Sequence, residues 1–172
     1  MLFRSILRLS DALLHEALLG YATIRMGTAQ PLELSFNISP TQLEDASLVS
    51  RILGQLEQQR IAPAQLTLEL TERGVLEGSS LVLDNLRQLR EHGIRLSLDD
   101  FGTGYSSLSL LGQLQPDEVK IDRSFVMAME HDPYALQIIT LLCRMAPALG
   151  FQLVAEGVEH RASFERLRQL GV

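Results

Sequence analysis

Five strand-like runs recur along these 172 residues: Leu32–Phe36, Leu66–Leu70, Ile94–Leu98, Glu118–Ile121 and Gln152–Ala155. Amphipathic stretches separate them, at about Thr41–Gln59, Ser79–His92, Pro133–Leu149 and His160–Leu170. Strands alternating with helices at this spacing predict βαβ units and a parallel sheet, buried on both faces by its own crossovers. A composition of 46% hydrophobic residues suits such a sheet. Punctuation agrees with the rhythm. Gly93 and Gly150 follow two amphipathic stretches where a left-handed cap is expected, Pro40-Thr41 and Ser79-Ser80 read as helix starts, and Pro63 separates a helix from a strand. No linker, low-complexity tract or repeat divides the chain, which reads as one domain over residues 1–172.

The polar residues fall on a pattern of their own. Each run ends on one: Asn37; Glu69 with Glu72; Asp99 with Asp100; Lys120 with Asp122; Glu156 with Glu159. In a βα barrel or an open doubly wound sheet, the carboxyl ends of the strands share one face, and that face carries the active site. The Asp99-Asp100 doublet is the sharpest signal, because adjacent carboxylates repel unless something positive is shared between them. A pair of divalent cations is the usual remedy. Asn37, Glu69, Asp99, Asp100 and Glu156 are hard oxygen donors, a set that suits Mg²⁺ or Mn²⁺ rather than zinc. Two such ions would cancel the four carboxylate charges, and Lys120 would leave the site positive enough to accept a phosphate. Lys120 among carboxylates could position or deprotonate a water.

Other features exclude classes of function. A net charge of −6 argues against nonspecific nucleic-acid binding, so no DNA partner is expected. No run is long and apolar enough to span a membrane, and the basic, amphipathic MLFRSILRLS lacks a signal peptide's core and reads as the first turns of a helix. Cys143 is the only cysteine, which suits a reducing, cytoplasmic setting, and its apolar surroundings read as packing rather than catalysis. His15, His92, His131 and His160 show no ligand spacing.

The segments SFNISPTQL, LTLELTERG, IRLSLDDFGTGYSSLSLL, VKIDRSFV and LVAEGVE, in this order, resemble the EAL-domain family of cyclic-di-GMP phosphodiesterases. The resemblance implies a TIM-type βα barrel that uses two Mg²⁺ or Mn²⁺ ions to hydrolyse one phosphodiester of cyclic-di-GMP, giving linear pGpG. By that likeness Asn37, Glu69, Asp99, Asp100 and Glu156 are metal ligands, and Lys120 holds or activates the attacking water. Glu72 would brace the loop after Asp100, Glu159 would support the site beside Glu156, and Asp122 would stand behind the ligands.

The departures set further expectations. The family's name-giving tripeptide should end an early strand, yet the only match, Glu16-Ala17-Leu18, lies inside the helical pattern ALLHEALLGYATI. Gly171-Val172 falls where relatives continue into a last strand. The chain therefore reads as a partial barrel of about five parallel strands, lacking the first strands and the last. Such a sheet has two open edges, which a homo-oligomer or a segment-swapped dimer would cover, and its turnover is expected to be impaired. The competing function is a catalytically inactive module that binds cyclic-di-GMP or another protein. A metal enzyme abstracting a proton from a carboxylate substrate would use a similar residue set.

Overall fold

A computed structural model describes residues 2–102 and 108–172. Its strands are β1 (Leu34–Asn37), β2 (Leu66–Thr71), β3 (Arg95–Phe101), β4 (Glu118–Ile121) and β5 (Gln152–Ala155), and they form one sheet in the order β1-β2-β3-β4-β5. Every strand pair with a determined register is parallel. The expected five-stranded α/β sheet is therefore present, with β1 and β5 at its edges. The chain divides into two compact units, Met1–Leu70 with Glu77–Leu96, and Thr71–Leu76 with Ser97–Val172.

In the first unit, β1 and β2 pair with Leu34 opposite Leu66, Ser35 opposite Thr67, Phe36 opposite Leu68 and Asn37 opposite Glu69. Because side chains alternate along a strand, this register puts Leu34, Phe36, Leu66 and Leu68 on one face and Ser35, Asn37, Thr67 and Glu69 on the other. Helix α1 (Leu2–Met26) buries Leu14, Leu18 and Tyr21, and the Tyr21 hydroxyl donates to the Leu32 carbonyl at 2.7 Å. Glu16-Ala17-Leu18 lies inside this helix, as its pattern predicts.

The predicted single helix over Thr41–Gln59 is instead two, α2 (Pro40–Leu43) and α3 (Leu48–Gln58). Ser39 and Gln42 form a capping box that starts α2. The Asp45 carboxylate then accepts from the Ser47 amide (2.9 Å) and hydroxyl (2.8 Å), a local turn that competes with helix continuation. Buried Asn85 secures the break by donating to the carbonyls of Leu43 (2.9 Å) and Asp45 (3.0 Å). Asn85 belongs to α5 (Ser80–Glu91), whose Val82, Leu86 and Leu89 are buried on the same face. Arg51 of α3 ties this region to α1, with Nε 3.0 Å from Asp11 and Nη1 2.5 Å from Asp45.

In the second unit, β4 runs between the Ser97–Phe101 part of β3 and β5. Leu98, Val119 and Ile121 form the buried face. Short helices α4 (Glu72–Leu76), α6 (Leu108–Leu114) and α7 (Arg123–Ala128) accompany the longer α8 (Pro133–Leu149) and α9 (Arg161–Leu170). Helix α8 ends, as expected, on Gly150 in the left-handed region (φ 79°), and Gly93 after α5 is left-handed too (φ 88°). Cys143 of α8 is half-buried rather than fully enclosed, and burial pushes its thiol pKa up.

Candidate active site

The second unit concentrates the chemistry. Lys120 sits on β4, and its Nζ lies 2.7 Å from Glu156 Oε1, just beyond β5, and 3.7 Å from Asp99 Oδ1 on β3. Parity explains the meeting. Ser97 and Asp99, Glu118 and Lys120, and Gln152 and Glu156 all share the face opposite Leu98, Val119 and Ile121. One layer below the cluster, the Ser97 hydroxyl donates to Glu118 Oε1 at 2.7 Å, and these two residues are register partners. Ser97 is fully buried, so this bond satisfies its hydroxyl and fixes the β3–β4 register just before Asp99.

The doublet itself departs from regular strand geometry. Leu98 pairs with Val119, but the next pair is Phe101 with Ile121, so Asp99 and Asp100 together stand opposite Lys120 alone. This is a β-bulge, a feature concentrated at active sites because it re-aims side chains. In a regular strand Asp100 would take the buried face; with the extra residue, Phe101 takes it and is buried. Asp100 adopts φ 55°, a left-handed conformation that Asp tolerates, and its amide donates to Asp99 Oδ1 at 3.0 Å. Gly102 follows at φ 102°, where an added Cβ would stand 2.6 Å from the Phe125 ring. The chain turns just as sharply after Glu156: Gly157 has φ 65°, and a Cβ there would meet Arg123 Cβ at 2.6 Å.

Burial raises the Asp99 carboxyl pKa above its ordinary value; Lys120 opposes that shift, and the charges of Glu156 and Asp100 add to it. A cation is what such a pair of carboxylates requires, and Lys120 supplies one.

The remaining predicted residues are distributed as follows. In the first unit, Asn37, which ends β1, and Glu69, inside β2, are register partners on that unit's polar face. Glu72 opens α4 and is buried. The loop it was expected to brace includes 103–107, which lie outside the described residues. Asp122 caps α7, its Oδ1 accepting from the Ser124 amide at 2.9 Å and from the Ser124 hydroxyl. Glu159 is exposed and lines an open groove of about 480 Å³ with Phe164 and Arg168 of α9. Among the described residues, no group of three or more His, Cys, Asp or Glu side chains stands close enough to hold a metal ion. The donor chemistry nevertheless fits hard divalent cations, since Asp99, Asp100 and Glu156 all present carboxylate oxygens.

Sequence reasoning missed the bulge, the Ser97–Glu118 bond and the need for Gly157. Two adjacent acids followed by Phe-Gly at a strand end break period-two alternation, and that was the available signal for the bulge. The Asp122-Arg123-Ser124 sequence likewise carries an Asx-turn signature pointing to a cap.

The EAL domain family model matches residues 3–172. The chain is 39% identical over 142 residues to the cyclic di-GMP phosphodiesterase RocR of Pseudomonas aeruginosa, covering 83% of this chain and 36% of RocR. The structure of the PaMucR phosphodiesterase in complex with c-di-GMP superposes with a TM-score of 0.89 at 34% identity, over 96% of this chain and 67% of that one. The manganese and c-di-GMP complex of Klebsiella pneumoniae BlrP1 gives a TM-score of 0.84 at 29% identity, over 99% of this chain and 42% of that one. The chain thus spans about a third of the length of RocR and smaller shares of other curated relatives. The family model covers nearly the whole chain, and the chain belongs to the EAL domain family.

Proposed function

We propose that this chain provides the hydrolytic core of a metal-dependent phosphodiesterase that opens one ester of cyclic-di-GMP to give linear pGpG. The observation that carries this reading is the meeting of Lys120 with Asp99 and Glu156, beside the bulge that turns Asp100 off the buried face. Relatives named as cyclic di-GMP phosphodiesterases support the substrate, and the manganese complex of a neighbour supports a divalent cofactor.

In this reading Asn37, Glu69, Asp99, Asp100 and Glu156 would hold two divalent cations, Mg²⁺ or Mn²⁺, which supply an activated water and neutralise phosphate charge when bound. Lys120 carries the chain's own part of the chemistry. Its ammonium holds the carboxylates of Asp99 and Glu156 together, and it can donate to the attacking water or to the charge that grows on the phosphate. Glu72 braces the loop that follows the doublet, Glu159 supports the approach to Glu156, and Asp122 keeps α7 in place behind Lys120. The domain works in the cytoplasm, where a lone thiol stays reduced.

A second reading, a module that binds cyclic-di-GMP without hydrolysing it, is favoured by one observation: the described carboxylates do not form a three-donor cluster. The 172-residue polypeptide taken alone also leaves no residue of β1 or β5 fully buried, whereas β2 and β3 each bury four. We therefore expect its turnover to be impaired, and expect self-association to cover those edges. Incubation with cyclic-di-GMP and Mn²⁺ tests the reading. Formation of pGpG that disappears in Asp99→Ala and Lys120→Ala supports hydrolysis, binding without product supports the receptor, and neither outcome leaves both readings without support.

A further inference from the structure

We propose that the first turn of α7 is a spacer that sets the gap between the chain leaving Asp100 and the chain leaving Glu156, with Phe125 and Arg123 as its positioning residues; this role rests on the reading that Asp99, Asp100 and Glu156 hold metal. Gly102 follows Asp100 by two residues, and Gly157 follows Glu156 directly. A Cβ at Gly102 would stand 2.6 Å from Cε2 of Phe125, and one at Gly157 would stand 2.6 Å from Cβ of Arg123. Both neighbours belong to one turn of one short helix. Gly93, Gly150 and Gly171 share the positive φ, yet a Cβ there would meet nothing nearer than 4.0 Å. Those three follow helices and need glycine for backbone conformation alone. Gly102 and Gly157 need it also because α7 lies against their backbones.

The turn has little slack with which to yield. It starts from Ile121, the last residue of β4, which is buried, faces Phe101 in register and accepts the Glu156 amide on its carbonyl at 3.1 Å. Ile121 is therefore tied to the strand end before Gly102 and to the one before Gly157. Asp122 closes the turn twice, its carboxylate accepting from the Ser124 amide (2.9 Å) and its carbonyl from the Phe125 amide (3.1 Å). A turn ordered in this way and fixed at its base imposes its own width on whatever it touches. The Phe125 ring bears on one ligand-carrying segment and Arg123 Cβ on the other, while Lys120, just before Ile121, reaches Asp99 and Glu156. Packing of this kind behind ligands holds their oxygens at one separation, which a pair of neighbouring cations demands.

Equilibrium dialysis of the 172-residue chain against Mn²⁺, without substrate, tests the role. Phe125→Ala should weaken Mn²⁺ binding by about 10- to 100-fold, the usual loss when a group supporting metal ligands is removed. Phe125→Leu, which refills part of the space, should weaken it less, and Arg123→Gly, which removes the Cβ against Gly157, should weaken it as well. Val126→Ala takes buried packing from the same helix, so it should lower the melting temperature while leaving Mn²⁺ affinity unchanged. A urea titration of the metal-free chain reads the contact itself. Phe125→Ala should shift the midpoint less in a Gly102→Ala background than in the wild type, because the ring it removes is the one the new Cβ strikes. Mn²⁺ affinity unchanged in Phe125→Ala or in Arg123→Gly overturns the proposal and leaves the metal reading standing, as does an equal loss in Val126→Ala. Additive urea effects overturn the contact between Phe125 and Gly102. A wild-type chain that binds no Mn²⁺ overturns the metal reading, and the spacer's role with it.

Discussion

At the scale of single residues, the site is stored strain and buried charge. Asp99 has a raised pKa, so the folded chain binds that proton more tightly than the unfolded chain does. Its ionised form therefore subtracts from stability above the folded pKa, and the loss vanishes as pH falls toward the unfolded value near about 3.9. Asp99→Asn should raise the melting temperature at pH 7 and leave it unchanged near pH 3; thermal melts at the two pH values measure this. Asp45 has the opposite sign. The Ser47 amide holds its carboxyl below the usual range despite burial, so its contribution is full above the unfolded pKa and fades as acid titrates it. Gly102 and Gly157 combine positive φ with a close neighbour, so Gly157→Ala should destabilise by about 1–3 kcal/mol in a denaturant titration. Gly112 in α6 meets nothing within 4 Å, and Gly112→Ala should instead stabilise by about 0.5–1 kcal/mol.

At the scale of elements, legibility followed periodicity. The runs at Glu118–Ile121 and Gln152–Ala155 are strands over those same residues, because each leaves a short, β-rich signature that nothing nearby competes with. The helix predicted over Thr41–Gln59 failed at Glu44–Ser47, where amphipathic spacing continued but the bonding did not. Asp45 turns back onto Ser47, and Asn85, forty residues away, takes the carbonyls the helix would have used. A partner so distant is invisible to any local pattern. Asn85→Leu, which keeps volume but removes the donors, should cost about 1–3 kcal/mol, read as a shift in the denaturation midpoint with an unchanged slope. The bulge is the intermediate case. The doublet announced an oddity at a strand end, but only the β3–β4 register shows that Phe101, not Asp100, resumes the buried face.

At the scale of the molecule, β1 to β4 each carry one apolar and one polar face, with Asn37, Glu69, Asp99 and Lys120 on the polar ones, whereas β5 sets Val154 beside Lys120. The strand-end rhythm made that arrangement readable before any coordinates, whereas the roles of Asp122 as a cap and Glu159 as an exposed groove residue depended on contacts that strand position does not encode. The central claim is that these strand ends, with Lys120 among them, bind a pair of divalent cations for phosphodiester hydrolysis. Counting Mn²⁺ per chain after equilibrium dialysis tests it most directly. We expect about two ions per wild-type chain and fewer in Asp99→Ala and Glu69→Ala. Retention of no Mn²⁺ by the wild-type chain, or of the same number by both variants, would contradict it.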